Sequence, residues 1–360
     1  MNHVGQNIHI SFFGESHGHK MGVTIDGLPP GITLNIDLIK NNLKQRQPKR
    51  DSETSRVESD AFEIISGYHQ DHTTGAPLTF IIENKAMNSS DYPNLNEIPR
   101  PSHADLPAYI KYHGFNDYHG GGMFSGRLTV LWVIVGSIAQ QILENKHIYV
   151  GSHIRSIHHI ENQSFKDVDI NKNQIKALQE QEIPLLNSNQ KEKIIKLIQD
   201  TKNDHDSLGG IIESAIIGLP IGIGQPIIHT VEGYLSYLLF SIPSIKGVSF
   251  GSGFDITKLY GSEANDEYFY ENGQIKTKTN HNGGILGGLT TGQPIIIQSA
   301  IKPIASIAKK QKTIHTKKKE NTEILISGRH DAQILTRISP VINAVLNFGI
   351  LDLLYKDIQV

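Results

Sequence analysis

Near the start of the chain, Glu15, Ser16, His17 and His19 stand among glycines in the stretch GESHGHKMGVTIDGLPPGI. A carboxylate, a hydroxyl and two imidazoles this close can hold and pass a proton near neutral pH, where histidine titrates without help. Similar residue types gather in four further places. RPSHAD (100–105) sets His103 two residues before Asp105. A carboxylate beside an imidazole favours its protonated form, the state of a general acid; a loop histidine bonded to its neighbour is the plainer alternative. HGGGMFSGRLT (119–129) runs three glycines into Ser125, a helix N-cap type, and then Arg127. Free N–H groups, a helix dipole and a guanidinium together suit an anion. Arg46, followed by Pro48, Lys49 and Arg50, closes a helical stretch, which compensation of the helix dipole explains as readily as a ligand does. The last group is NHNGGILGGLTTGQ (280–293), KPIAS (302–306) and GRHD (328–331). Its paired glycines allow close packing against a planar ligand, or simply two tight turns.

Several chemistries are disfavoured. The chain has no cysteine, which removes disulfides, thiolate nucleophiles and cysteine-ligated metals and suits a reducing compartment. No histidine pair has HExxH spacing, and His17/His19 and His158/His159 lack a carboxylate in a known ligand frame, so no metal is expected. There is no GxSxG elbow for a serine hydrolase. The net charge of -2 gives no global field for nucleic acid, so any anion site must be local. The basic run KKQKTIHTKKK (309–319) lacks aromatics for base stacking and reads as a mobile solvated loop. The N-terminus carries no secretory pattern, and the apolar run from Leu128 falls short of a membrane span, so neither a membrane nor nucleic acid is expected as partner and a cytoplasmic location is the default.

The elements that must position these residues read as strands alternating with helices. MGVTIDGL from Met21, APLTFIIEN from Ala76, GGIIESAIIGLPIGIG from Gly209, KGVSFGSGF from Lys246 and QPIIIQSAIKPIASI from Gln293 have strand character. In the last of these, a proline near the end suits an edge or a terminus. From Leu128, apolar residues at 128, 131, 132, 135, 138, 139 and 142 follow the helical period, and apolar residues between them predict burial on most sides. EGYLSYLLFSI from Glu232 reads as helical, and the C-terminal stretch from Asp331 reads as two helical pieces interrupted at Pro340. The polar segment 161–206 reads as a peripheral excursion. No composition break divides the 360 residues, which predicts one α+β domain with long functional loops.

Taken in order, GESHG…DGLPPGI, RPSHADLPAYIKY, HGGGMFSGRLT, TNHNGGILGG, KPIAS and GRHD resemble the chorismate synthase family over essentially the whole chain. The resemblance implies a single-domain four-layer α-β-β-α sandwich with antiparallel sheets and long active-site loops, assembled as a homotetramer. It implies a lyase that uses reduced FMN to eliminate phosphate from 5-enolpyruvylshikimate-3-phosphate, giving chorismate, in a 1,4-anti reaction without net redox change. His17 would protonate the reduced flavin with Ser16 in reach as a relay, His103 would assist the departing phosphate, and Asp331 would take part in removing the C6 proton; Ser125 counts among the catalytic hydroxyls. Arg46, Arg100, Arg127 and Arg329 match substrate-binding positions. Met123, Phe124, Ser125, Pro243, Ser244, Gly287, Lys302, Pro303, Ile304, Ala305, Ser306 and Arg329 match flavin-binding segments. Arg46 and Arg50 match positions associated with NADP; NADPH, or an external flavin reductase, would then supply the reducing electrons. The chain departs from the usual pattern at Met123 (commonly Arg), at Ala332-Gln333 (commonly Pro-Cys) and at Asn343 (commonly Glu).

Overall fold

Alternating burial along the strands builds two antiparallel sheets. The computed structural model describes residues 2–48, 60–84, 97–326, 328 and 330–355. In the first sheet, β1 (His3–Val4), β2 (His9–Gly14), β3 (Lys20–Asp26), β4 (Phe62–Ser66) and β5 (Leu78–Glu83) run in the spatial order β1-β2-β3-β5-β4. The second contains β6 (Tyr149–Ile157), β7 (Ile160–Glu161), β8 (Gly210–Ile217), β9 (Ile245–Phe250) and β10 (Ile295–Ile301), ordered β9-β10-β8-β6-β7. The strand holding Pro303 in its exit, β10, is central, with the proline just beyond its last residue. A proline there removes no ladder hydrogen bond.

The helices are α1 (Ile36–Arg46), α2 (Asp105–Lys111), α3 (Thr129–Asn145), α4 (Lys172–Glu180), α5 (Lys191–Asn203), α6 (Val231–Leu239), the short α7 (Gly261–Ala264) and α8 (Leu335–Leu353). As its sequence predicts, α3 is buried almost all round. Apolar residues in the 20-residue stretch Gly126–Asn145 would suffice by composition for a membrane span, but here they pack inside the protein. The C-terminal stretch is one helix rather than two pieces, because Pro340 falls near its start and removes only one backbone donor.

Layer order differs from the expected α-β-β-α. Phe12 of β2 packs on Trp132 of α3, with ring centroids 4.9 Å apart, and Trp132 on Phe348 of α8 at 5.7 Å. The opposite side of α8 meets the second sheet, where the Ser152 hydroxyl of β6 donates to Asn343 Oδ1 at 2.5 Å. A helical layer therefore separates the two sheets. α3 and α8 bury residues around most of their circumference and so need partners on more than one side. They pack tightly at Gly136, where an added Cβ would lie 2.2 Å from Ala344 Cα.

The excursion 161–206 covers the outer face of the second sheet: Phe165 and Leu178 cluster with Ala215 and Ile296. It is pinned by Glu213, fully buried on β8, which accepts from His153 Nε2 (3.0 Å), Ser164 Oγ (2.8 Å), the Phe165 N–H (2.6 Å) and Gln298 Nε2 (3.0 Å). Burial works to raise the Glu213 carboxyl, but these donors outweigh it and hold the group at about 2.

The basic run is a hairpin, not a mobile loop. β11 (Lys310–His315) pairs with β12 (Glu320–Leu325), and Lys309 meets Asp204 at 2.6 Å and Asp206 at 2.9 Å. Lys317 reaches Glu97 at 2.5 Å, and Thr313 Oγ1 donates to the Pro99 carbonyl at 2.5 Å, so the hairpin braces the segment leading into Arg100.

Candidate active site

A cavity of about 510 Å³ opens where six segments distant in sequence meet. The end of α1 brings Arg46; the loop before α2 brings Arg100 and His103; the glycine turn before α3 brings Phe124, Ser125 and Arg127. The α6–β9 connection contributes Pro243 and Ser244, the chain leaving β10 contributes Lys302, Ile304, Ala305 and Ser306, and the approach to α8 contributes Asp331. Two of these segments are tied together by the Lys302 N–H, which donates to the Ser244 carbonyl at 3.0 Å, and Lys302 Nζ reaches the Ser102 carbonyl at 2.9 Å.

The cationic side chains lie among carboxylates. Arg100 grips Asp105 through Nε and Nη2, each at 2.8 Å, while its own N–H donates to Asp105 at 3.0 Å; both side chains are buried. Arg127 pairs with Asp60, also buried. Arg46 donates to Thr129 Oγ1 at 3.0 Å and to the Gly126 carbonyl at 3.0 Å, which fastens the end of α1 to the start of α3. A guanidinium carries five donors, so each of these arginines can keep its protein partner and still present N–H groups to a ligand. Such held arginines lose little side-chain freedom when an anion arrives.

The pairing of His103 with Asp105 does not occur. Asp105 is committed to Arg100: burial works to raise its carboxyl, and the Arg100 hydrogen bonds and charge overcome this and hold it below the usual carboxylate range. Burial, and then the Arg100 charge, push the His103 imidazole below its ordinary value. The sequence reading expects a raised, protonated imidazole; burial and two nearby cations give a neutral one. Its Nδ1 lies 2.9 Å from the Pro101 carbonyl, which can only accept, so Nδ1 carries the proton and Nε2 the lone pair.

The first group lies one row behind the cavity wall. Ser16 Oγ donates to the His119 carbonyl at 3.2 Å and lies 3.2 Å from His17 Nδ1. Three glycines in left-handed conformation, Gly120, Gly121 and Gly122, carry the chain over them. An added Cβ on Gly120 would fall 1.9 Å from His17 Cε1, so this glycine is what admits the imidazole. The segment between β1 and β2, ahead of the turn that holds Ser16 and His17, is anchored by buried Asp352 at the end of α8, which accepts the N–H groups of Gln6, Asn7 and Ile8 at 2.8 Å each.

Not every expected residue is at the cavity. Gly287 is exposed on the turn of a separate hairpin, Ile285–Leu286 with Leu289–Thr290, away from the lining. Pro303 turns from the lining towards Gly209, and Met123 lies outward, within 3.7 Å of the Tyr112 hydroxyl. Arg50 and Arg329 lie outside the described residues. Conversely, sequence reasoning missed Asp60, which nothing in the sequence signals, and Arg337, which bonds Asp331 at 2.8 Å and lines the cavity. Arg337 did carry a signal: with Asp352 it is one of the two charged residues in α8. The sequence departures are absorbed locally. Gln333 receives the Thr336 N–H at 3.3 Å and donates to its hydroxyl at 3.0 Å, capping the start of α8. Asn343 accepts from Ser152, as described above. No cluster able to hold a metal occurs among the described residues.

The lining also fits a flavin. Ile242, Ile304, Ile338 and Val341 give an apolar wall for a flat ring system, and the cationic edge near Lys302 suits an anionic tail.

The sequence profile of the family described as Chorismate synthase matches residues 8–355. The chorismate synthase of Methanococcus vannielii is 40% identical over 99% of this chain and 97% of its own length. That of Thermococcus kodakarensis is 38% identical over 98% of this chain and 97% of its own. A solved structure described as a crystal structure of chorismate synthase superposes with a TM-score of 0.75 at 24% identity, covering 98% of this chain and 93% of that one, which establishes the common fold. From the profile and from identity sustained over full length, the chain belongs to the chorismate synthase family.

Proposed function

We propose that this protein is a lyase converting 5-enolpyruvylshikimate-3-phosphate to chorismate and phosphate, with reduced FMN bound in the same cavity. One observation carries the reading: Arg46, Arg100, Arg127, Lys302, His103 and Asp331, from five separate segments, line a single cavity together with apolar side chains. A multiply anionic substrate accounts for that convergence in a chain of net charge -2.

The arginines and Lys302 hold the substrate's phosphate and carboxylates and fix its orientation. His103 enters neutral. A phosphate placed beside it favours the charged imidazole, so the ring takes up a proton as substrate binds and can give it to the departing phosphate. Asp331 accepts the C6 proton, the C6–H electrons form the C1=C6 double bond, the C1=C2 pair shifts to C2=C3, and the allylic C3–O bond breaks with its electrons leaving on the phosphate. Bound reduced FMN would supply an electron-rich ring that stabilises positive charge developing on the allylic carbon. His17, one row behind the lining with Ser16 beside it, would serve as the proton source for that ring. Exposed apolar side chains, among them Ile227, Ile228, Tyr268 and Tyr270, suit self-assembly, and the family resemblance implies a tetramer.

The test is an anaerobic assay with chemically reduced FMN and 5-enolpyruvylshikimate-3-phosphate, following chorismate absorbance and phosphate release. Stoichiometric formation of both products is expected. Purified protein that binds FMN yet releases neither product overturns the reading.

A further inference from the structure

We propose that Arg337 is the positioning residue for Asp331, holding its carboxylate in the orientation that receives the substrate's proton. The proposal rests on the reading of Asp331 given above.

Arg337 lies in the first turn of α8, a helix otherwise uncharged until Asp352. Helix stability does not explain it there, because a cation in the first turn faces the positive end of the macrodipole. Its partial burial also costs some solvation, which close partners offset. Those partners are two. Nη1 bonds Asp331 Oδ2 at 2.8 Å, and Nε approaches the carbonyl of Arg46, the last residue of α1, at 3.4 Å. Both Arg337 and Asp331 line the cavity. The planar guanidinium is thus fixed at one edge by the end of α1 and sets the carboxylate with the other. Asp331 itself lies outside any helix or strand, just before α8 begins at Leu335. The same side chain links Asp331 to the helix end that bears Arg46, so proton acceptor and anion-binding group keep a common frame.

The experiment compares Arg337→Ala, Arg337→Gln and Arg337→Lys with Asp331→Asn and with the Asp331→Asn/Arg337→Ala double variant. Anaerobic steady-state rates are measured with unlabelled substrate and with substrate deuterated at C6, alongside FMN binding by fluorescence. Arg337→Ala is expected to lower kcat about 100-fold, the scale of an ångström misplacement of a reacting group, with KM within about threefold. The deuterium isotope effect on kcat should rise, because proton transfer becomes the slow step. Arg337→Lys should restore about a tenth of the rate, since lysine returns the charge but not the planar fork. The double variant should be no slower than Asp331→Asn, as expected when one residue acts through the other.

Wild-type kcat and isotope effect in Arg337→Ala overturn the proposal, as do losses that multiply in the double variant. A fall in FMN binding with an unchanged isotope effect also overturns it, because that is the mark of a merely structural role. If Arg337→Ala does not fold, Arg337→Gln and Arg337→Lys carry the same comparisons. Asp331→Asn at wild-type turnover instead overturns the underlying reading of Asp331, a result separable from every outcome above.

Discussion

Gly120→Ala tests whether the glycine turn exists to admit the His17 imidazole. The added methyl would stand 1.9 Å from His17 Cε1, 2.0 Å from Nδ1 and 2.9 Å from Ser16 Oγ, whereas ordinary contact begins near 3.4 Å. The ring or the turn must therefore retreat by about 1.5 Å, and displacement of a catalytic group by about an ångström costs on the order of 100-fold in rate. At φ +61° the alanine also pays about 1 kcal/mol for left-handed backbone. Gly121→Ala separates the two effects: at φ +89° it carries a comparable conformational cost, but its methyl meets only Ser125 Cβ, at 3.7 Å. Anaerobic turnover with reduced FMN, together with unfolding in urea, should find both variants destabilised and only Gly120→Ala slowed by about two orders of magnitude. Wild-type turnover in Gly120→Ala, or equal slowing in Gly121→Ala, would refute the reasoning.

Three more expectations follow from the geometry. In the ligand-free protein, NMR should find the His103 midpoint below 6.5, and added phosphate-bearing substrate should raise it; the unfolded chain takes up this proton first, so the stability linked to His103 is full above 6.5 and declines as pH falls through the lower folded value. Glu213→Ala should lower unfolding free energy by about 3 kcal/mol, leaving four buried donors without their acceptor. Because the native Glu213 value is about 2 against 4.5 in the unfolded chain, its contribution is present above 4.5 and lost as pH falls towards 2, so the variant should show a flatter acid limb in denaturant titrations. Gly136→Ala should cost about 3 kcal/mol, since the methyl meets backbone of α8 rather than a movable side chain; an unchanged urea midpoint would contradict the tight α3–α8 crossing.

Much of this protein was legible in its sequence. Period and apolar content predicted the buried helix α3 and the strands β3, β5, β8, β9 and β10, because these features depend on residues close in the chain. Six short motifs in order pointed to the family, and several of their residues do line one cavity. What the sequence could not contain was pairing across the fold. His103 and Asp105 are two residues apart, so proximity suggested that they interact, but the folded chain gives Asp105 to Arg100 and leaves His103 beside cations. Asp60 is an unremarked acid until the fold sets it against Arg127. The basic run looked solvated until strand pairing and the acids at 97, 204 and 206 gave it partners. Residue types and their local spacing determined which chemistry was available and which elements would form. The protonation state of His103, the partner of each arginine and the layer order were decided only by tertiary structure, because charge interactions, desolvation and packing depend on distance in space rather than separation along the chain.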